Sequence, residues 1–194
     1  MIIYFNNNHL KVDSATGLLN RNAFSSRFAN IEEKYSTAFV FIDANNLKKI
    51  NDEEGHGKGD WVLSRIADCI LKVYGRYGFC YRYGGDEFVI IFKPGVIRKS
   101  TEDVVYCDKY AMIEKLMARL NQELEKLLEN VEEEAEKQAL SYGVSQGYGI
   151  YYTEYDKPTE ISYITAQEAF KLADSRMYEN KQKYKESIQE DSES

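Results

Sequence analysis

Residues 81–92 read YRYGGDEFVIIF. Aromatic and β-branched residues on both sides favour strand, and Gly84-Gly85 between them offers the positive φ that a tight hairpin turn takes. The stretch therefore predicts a hairpin over 79–92, with Asp86 and Glu87 at or just beyond its tip. Adjacent acids at such a place repel each other, a cost that solvent or a cation must relieve. Taken alone, the two acids are read more simply as turn residues.

Working outward, TAFVFID (37–43) predicts a further strand, preceded by DSATGLLNR (13–21) and a helix with Phe24, Phe28 and Ile31 on one face. A polar loop, ANNLKKINDEEGHGKGD (44–60), leads to a helix over 61–74 with the stripe Val62, Ile66 and Ile70 and with Asp60 at its start. After the hairpin, Ile113, Leu116, Met117, Leu120, Leu124, Leu127, Leu128 and Val131 mark the buried stripe of a long acidic helix. YGVSQGYGIYY (142–152) predicts a strand and TAQEAFKLADSRMYENKQKYK (165–185) a last helix. ESIQEDSES (186–194) is polar and reads as a disordered tail. The central order βαββαβ predicts an α+β fold, a ferredoxin-related sheet containing antiparallel strands with helices packed on one face.

The chain of 194 residues is long enough for one domain with a full core. Its net charge of -7 argues against general binding of nucleic-acid polymers through phosphates. Cys69, Cys80 and Cys107 are an odd set without CxxC spacing, which suggests neither a disulfide framework nor a zinc site. The apolar start MIIYF is too short for a signal sequence, and no stretch is long enough to span a membrane, so the expected location is the cytoplasm.

Asp43 closes an apolar strand, where ligands of α/β sheets collect, although a solvated strand end is an equal reading. In the expected sheet Asp43 and Asp86 are close, and two or three carboxylates at one spot suit Mg²⁺, a hard cation that keeps substrate phosphates in its shell. Mn²⁺ is the alternative ion. Such a site activates a hydroxyl and neutralises charge on a transferring phosphoryl group.

Four segments in order, DSATGLLNR, FIDANNLKKINDEEGHGKGD, YRYGGDEF and ADSRMYENKQKYK, make the chain resemble the GGDEF domain family, the diguanylate cyclases. The likeness runs over 13–185, leaving 1–12 as an N-terminal extension and 186–194 as the tail. It implies a palm-like sheet related to those of adenylyl cyclases, and condensation of two GTP into cyclic di-GMP and two pyrophosphates. By the same resemblance Asp43, the Ala44 carbonyl, Asp86 and Glu87 hold metal, and Asp86 takes the proton of the 3′-hydroxyl. Gly84 and Gly85 admit the nucleotide close to the backbone.

Asn51 and Asp60 match the readers of guanine, whose N1 and N2 hydrogens a carboxylate can accept, whereas adenine has no donor at N1. Asp60 also suits the N-cap of helix 61–74, and His56 shapes the base pocket or simply packs the loop. Lys48 matches a lysine near the triphosphate, and Lys181 and Lys185, one turn apart, match a pair that grips the β- and γ-phosphates. The family commonly has arginine where Lys185 stands, and without the resemblance all three lysines read as solvated surface. Arg82 has no assigned role.

Departures are informative. The inhibitory RxxD pair of many relatives is replaced by GRYG (75–78), with Gly75 and Gly78 at its ends, so product inhibition by that route is not expected. Asn45 and Asn46 replace an aspartate and a histidine or phenylalanine, and Ala15 a leucine. Each site in the family holds one GTP, so ring closure implies a homodimer, at least a transient one. Two alternatives stand beside the cyclase: a catalytically silent GGDEF domain that binds GTP or a protein, and a related palm-type enzyme making another cyclic dinucleotide.

Overall fold

The computed structural model describes residues 11–31, 35–96, 109–154 and 162–193. Cys107 and most of the 93–110 loop lie outside them. The elements are α1 (Arg21–Phe28), β1 (Thr37–Ala44), α2 (Leu47–Glu54), α3 (His56–Tyr74), β2 (Gly78–Arg82), β3 (Glu87–Phe92), α4 (Lys109–Asn130), α5 (Glu134–Ser141), β4 (Val144–Tyr151) and α6 (Ala166–Glu193). Four strands form one sheet in the order β2-β3-β1-β4, and every neighbouring pair is antiparallel. This is the expected α+β, ferredoxin-related arrangement.

β1 is buried along its whole length because it lies between β3 and β4 and is covered on both faces. Side chains alternate across a strand, and the alternation divides the core in two. Ala38, Val40 and Ile42 meet Val62, Ile66 and Ile70 of α3 and Ile113, Leu116, Leu120 and Leu124 of α4. Phe39 and Phe41 face the other way, against Phe24 of α1 and Ala169, Ala173 and Met177 of α6. The expectation of helices on one face is thus corrected. The run FVFI is apolar at every position, as a strand buried on both sides requires, and it needs two covering layers.

α6 sits unusually close to the sheet. A Cβ at Gly149 would lie 2.0 Å from the Ala169 carbonyl oxygen, and one at Gly147 would lie 2.1 Å from the Met177 nitrogen. Only glycine at these two β4 positions lets the helix backbone approach. Two side chains of α6 fasten it to β4, an edge strand: Asn180 Nδ2 donates to the Gln146 carbonyl at 2.7 Å and Arg176 Nη1 to the Tyr148 carbonyl at 2.9 Å.

Three boundaries differ from expectation. The segment 44–60 is not a loop: α2 and α3 occupy most of it, separated by Gly55 at φ 84. α2 is short and buries only Leu47 and Ile50, too few apolar positions to show a period. Asp60 consequently stands inside α3, as its fifth residue, and is not an N-cap. The last helix runs to Glu193 where a disordered tail was expected after 185, because the tail holds no glycine or proline and extending a formed helix costs little.

Candidate active site

The acid end of the sheet is assembled by β1 and the hairpin. Asp43 is the cross-strand partner of Glu87, and the Ala44 N–H donates to the Asp86 carbonyl at 2.9 Å, which holds Asp86 beside the end of β1. Strand alternation points Asp43 and Glu87 to the same side as Phe41 and Val89, the side covered by α6. On α6 the buried stripe Ala169, Ala173, Met177 continues at the same spacing of four to Lys181, which arrives at the acids. Lys181 Nζ lies 2.5 Å from Asp43 Oδ1 and 3.9 Å from Asp86 Oδ2.

Asp43 is only 4% exposed. Its Oδ1 has the Lys181 ammonium as an ion-pair partner but no hydrogen bond of good geometry. Burial raises the Asp43 pKa above the ordinary carboxylate value; the Lys181 ammonium works against this, the Asp86 charge adds to it, and Lys185 opposes it from one turn further along α6. Glu87 is raised as well, first by burial and then by the charges of Asp86, Asp43 and Asp174, with Lys181 as the opposing influence. Negative charge is thus in excess at this end of the sheet, with Asp43, Asp86, Glu87 and Asp174 against the ammoniums of Lys181 and Lys185. Among the described residues no three His, Cys, Asp or Glu side chains converge on a point closely enough to hold an ion by themselves.

The glycines of the turn work differently from expectation. Neither Gly84 nor Gly85 has positive φ. The turn spans 83–86 and is wide enough to use ordinary backbone angles. A Cβ on Gly84 would stand 2.3 Å from Glu87 Oε2, so the missing side chain is the space into which the Glu87 carboxylate folds. Gly85 borders open space.

Arg82 has a role that sequence reasoning missed. Its Nη2 donates to the Gly85 carbonyl at 2.9 Å and its Nη1 to Asp13 Oδ1 at 3.1 Å. Asp13 in turn accepts from the Thr16 N–H and hydroxyl at 3.0 and 2.7 Å. Burial works to raise the Asp13 pKa, but the hydrogen bonds from Thr16 and Arg82 prevail and hold it below the usual value. The upstream segment also runs along β2, where Leu19 accepts from the Arg82 N–H and donates to the Cys80 carbonyl. DSATGLLNR is therefore the brace of the hairpin turn.

The other candidates lie on α2 and α3, which follow directly from the end of β1. Asn51 packs on Gly59, where an added Cβ would lie 2.0 Å from Asn51 Oδ1, so a glycine next to Asp60 leaves the amide its place. His56 and Asp60 are exposed on α3. Lys48 is exposed on α2 and, among the described residues, forms no ion pair with the acids. A Cβ at Gly78 would stand 2.6 Å from Ile90 Cγ2 and 2.9 Å from the Ile91 carbonyl oxygen, so in this chain an aspartate there would require its neighbours to shift.

A family model described as diguanylate cyclase, GGDEF domain, matches residues 10–187. This chain belongs to the GGDEF family. Diguanylate cyclase DgcN of Escherichia coli is 41% identical over 83 residues, 41% of this chain and 20% of the relative. Cyclic di-GMP phosphodiesterase PdeB of Shewanella oneidensis is 30% identical over 164 residues, 84% of this chain and 16% of the relative. The crystal structure of the coiled coil and GGDEF domain of DgcB from Caulobacter crescentus, in complex with c-di-GMP, superposes with a TM-score of 0.67 at 23% identity, covering 91% of this chain and 83% of that one. The last likeness is one of fold. This GGDEF domain spans less than a third of the length of the curated relatives named here, 20% of one and 16% of the other. No helix among its described residues is long and apolar enough to cross a membrane.

Proposed function

We propose that this GGDEF domain is a diguanylate cyclase that condenses two GTP into cyclic di-GMP with release of two pyrophosphates. One of its relatives is named a phosphodiesterase, so likeness alone does not select the activity. The observation that carries the reading is the gathering of Asp43, Asp86 and Glu87 at one sheet end with the Lys181 ammonium between two of them. The donor set is all oxygen, with the nearly buried Asp43 beside Asp86 and Glu87, and carboxylates gathered in this way fit a hard cation. Asp43, Asp86, Glu87 and the Ala44 carbonyl are the groups that would hold Mg²⁺, or Mn²⁺. When bound, the ion lowers the pKa of the attacking hydroxyl and neutralises charge on the phosphates.

In each step the 3′-hydroxyl oxygen of one GTP forms a bond to the α-phosphorus of the other. The bond from that phosphorus to the pyrophosphate oxygen breaks, and the hydroxyl proton passes to the Asp86 carboxylate. Lys48, Lys181 and Lys185 supply positive charge to the leaving pyrophosphate. Asn51 and Asp60 read the guanine base, with His56 shaping the pocket. Two domains facing each other as a homodimer bring both nucleotides together for the two steps, and GTP is met in the cytoplasm. With Gly75 and Gly78 in place of the RxxD ends, product does not inhibit through that pair.

The test is mass spectrometry of the products formed by concentrated protein with Mg²⁺ and an equimolar mixture of GTP and ATP. Cyclic di-GMP is the expected dominant product, and Asp60→Ser is expected to relax the preference by roughly tenfold or more, the worth of one well-paired buried contact. An adenine-containing product from the unaltered protein would overturn the base assignment and favour a cyclase for another dinucleotide. No product, with GTP still bound, would replace the proposal by a silent nucleotide-binding domain.

A further inference from the structure

We propose that Lys181 is a resident substitute for the divalent cation: its ammonium holds the place between Asp43 and Asp86 and gives it up when a metal and a triphosphate enter together. The inference rests on the cyclase reading of the acid cluster and concerns how that cluster is loaded. Lys181 Nζ stands 2.5 Å from Asp43 Oδ1 and 3.9 Å from Asp86 Oδ2, so it bridges acids from β1 and from the hairpin turn. An ammonium and a hard divalent cation seek the same oxygens, and two cations in one place repel.

Three features make the contact exchangeable. Among the described residues Asp43 Oδ1 has no partner other than the Lys181 ammonium, so leaving breaks this one contact. The helix itself need not move, because Gly147 and Gly149 seat α6 on β4 and Asn180, next to Lys181, is fastened to the Gln146 carbonyl. The exchange then involves only the four-carbon stem of Lys181, whose side chain remains partly exposed. Finally, the ammoniums of Lys181 and, one turn further along α6, Lys185 stand against the carboxylates of Asp43, Asp86, Glu87 and Asp174, so negative charge is in excess and the cluster accepts a doubly charged ion in place of Lys181.

The consequence is cooperative loading. Metal alone must expel Lys181 into solvent, whereas metal with triphosphate offers the expelled ammonium new oxygens, so each strengthens the binding of the other. The experiment is titration of the nucleotide-free domain with Mn²⁺, reading free Mn²⁺ by electron paramagnetic resonance. Lys181→Met and Lys181→Gln are both expected to bind Mn²⁺ about tenfold more tightly than the unaltered domain, the effect of about 1.4 kcal/mol. Adding Asp43→Asn to either variant is expected to cancel the gain. Unchanged or weaker Mn²⁺ binding in both folded variants would overturn the proposal, as would a gain that survives Asp43→Asn. Failure of the cyclase reading shows separately, as absence of cyclic di-GMP from the unaltered protein.

Discussion

Two carboxylates of this domain are almost equally hidden from solvent yet are treated in opposite ways. Glu123 on α4 is 6% exposed and Asp43 on β1 is 4% exposed. Glu123 pairs with Lys72 and Lys126, and these two partners, outweighing the effect of burial, hold its pKa below the usual value. It lines a groove between α3 and α4 together with Lys72 and Lys126. Asp43 is ion-paired with Lys181 and feels Lys185 as well, but burial and the Asp86 charge outweigh them and its pKa is raised. Folding alone favours the first arrangement. A carboxylate kept short of positive charge is what a site for an incoming cation needs.

The largest effect expected from breaking the comparison is on chemistry. Asp86→Ala should reduce cyclic di-GMP formation by roughly a thousandfold or more with an unchanged circular dichroism spectrum, since it removes a proton acceptor and a metal-holding oxygen together. Retained synthesis would sink the assignment of the acid cluster. Next comes the seat of α6, which delivers Lys181 to Asp43 but has no part in the Glu123 pairing. Gly149→Val places atoms where the Ala169 carbonyl already lies and should destabilise the domain by about 1–3 kcal/mol in urea unfolding.

A smaller change separates the two carboxylates directly. Glu123→Gln should lower the melting temperature by a few degrees and leave the rate of synthesis as it was, because its partners serve only the fold. The smallest expected effect has the opposite sign. Glu87→Gln should raise the melting temperature at pH 7 by up to about 2 °C while reducing synthesis, since it removes one charge from a repelling set. The sign follows from the raised pKa values of Asp43 and Glu87. A folded chain that holds protons which the unfolded chain has lost becomes less stable as pH rises above the ordinary carboxylate range. The advantage of Glu87→Gln should therefore shrink as pH falls toward 4, and an advantage independent of pH would contradict it.

Much of this was readable in advance. The apolar run at 37–43 and the hairpin on either side of Gly84-Gly85 were legible because β-branched and aromatic runs carry their own signal. Asp43 and Asp86, expected near each other from the strand order, and Glu87 and Lys181, assigned from the likeness, gather at one end of the sheet. The short helix α2 was not legible, nor was the start of α3 at His56, because two apolar residues make no period. Arg82 could have been suspected from its place beside the turn, yet nothing local names Asp13 as its partner 69 positions away. Gly147 and Gly149, alternating along a strand, were the available sign of a helix backbone lying close.

By itself the sequence determined which segments are strands, which faces of the long helices are buried, and which residue types stand at the acid end. These follow from spacing and from side-chain chemistry carried by neighbours along the chain. The tertiary structure alone decided that helices cover both faces of the sheet, that Arg82 ties the turn to Asp13, and that Lys181 rests on Asp43. The reason is physical: the charge balance of a buried group depends on what other elements bring within a few ångströms of it, and here that was set by how closely two glycines let α6 approach β4.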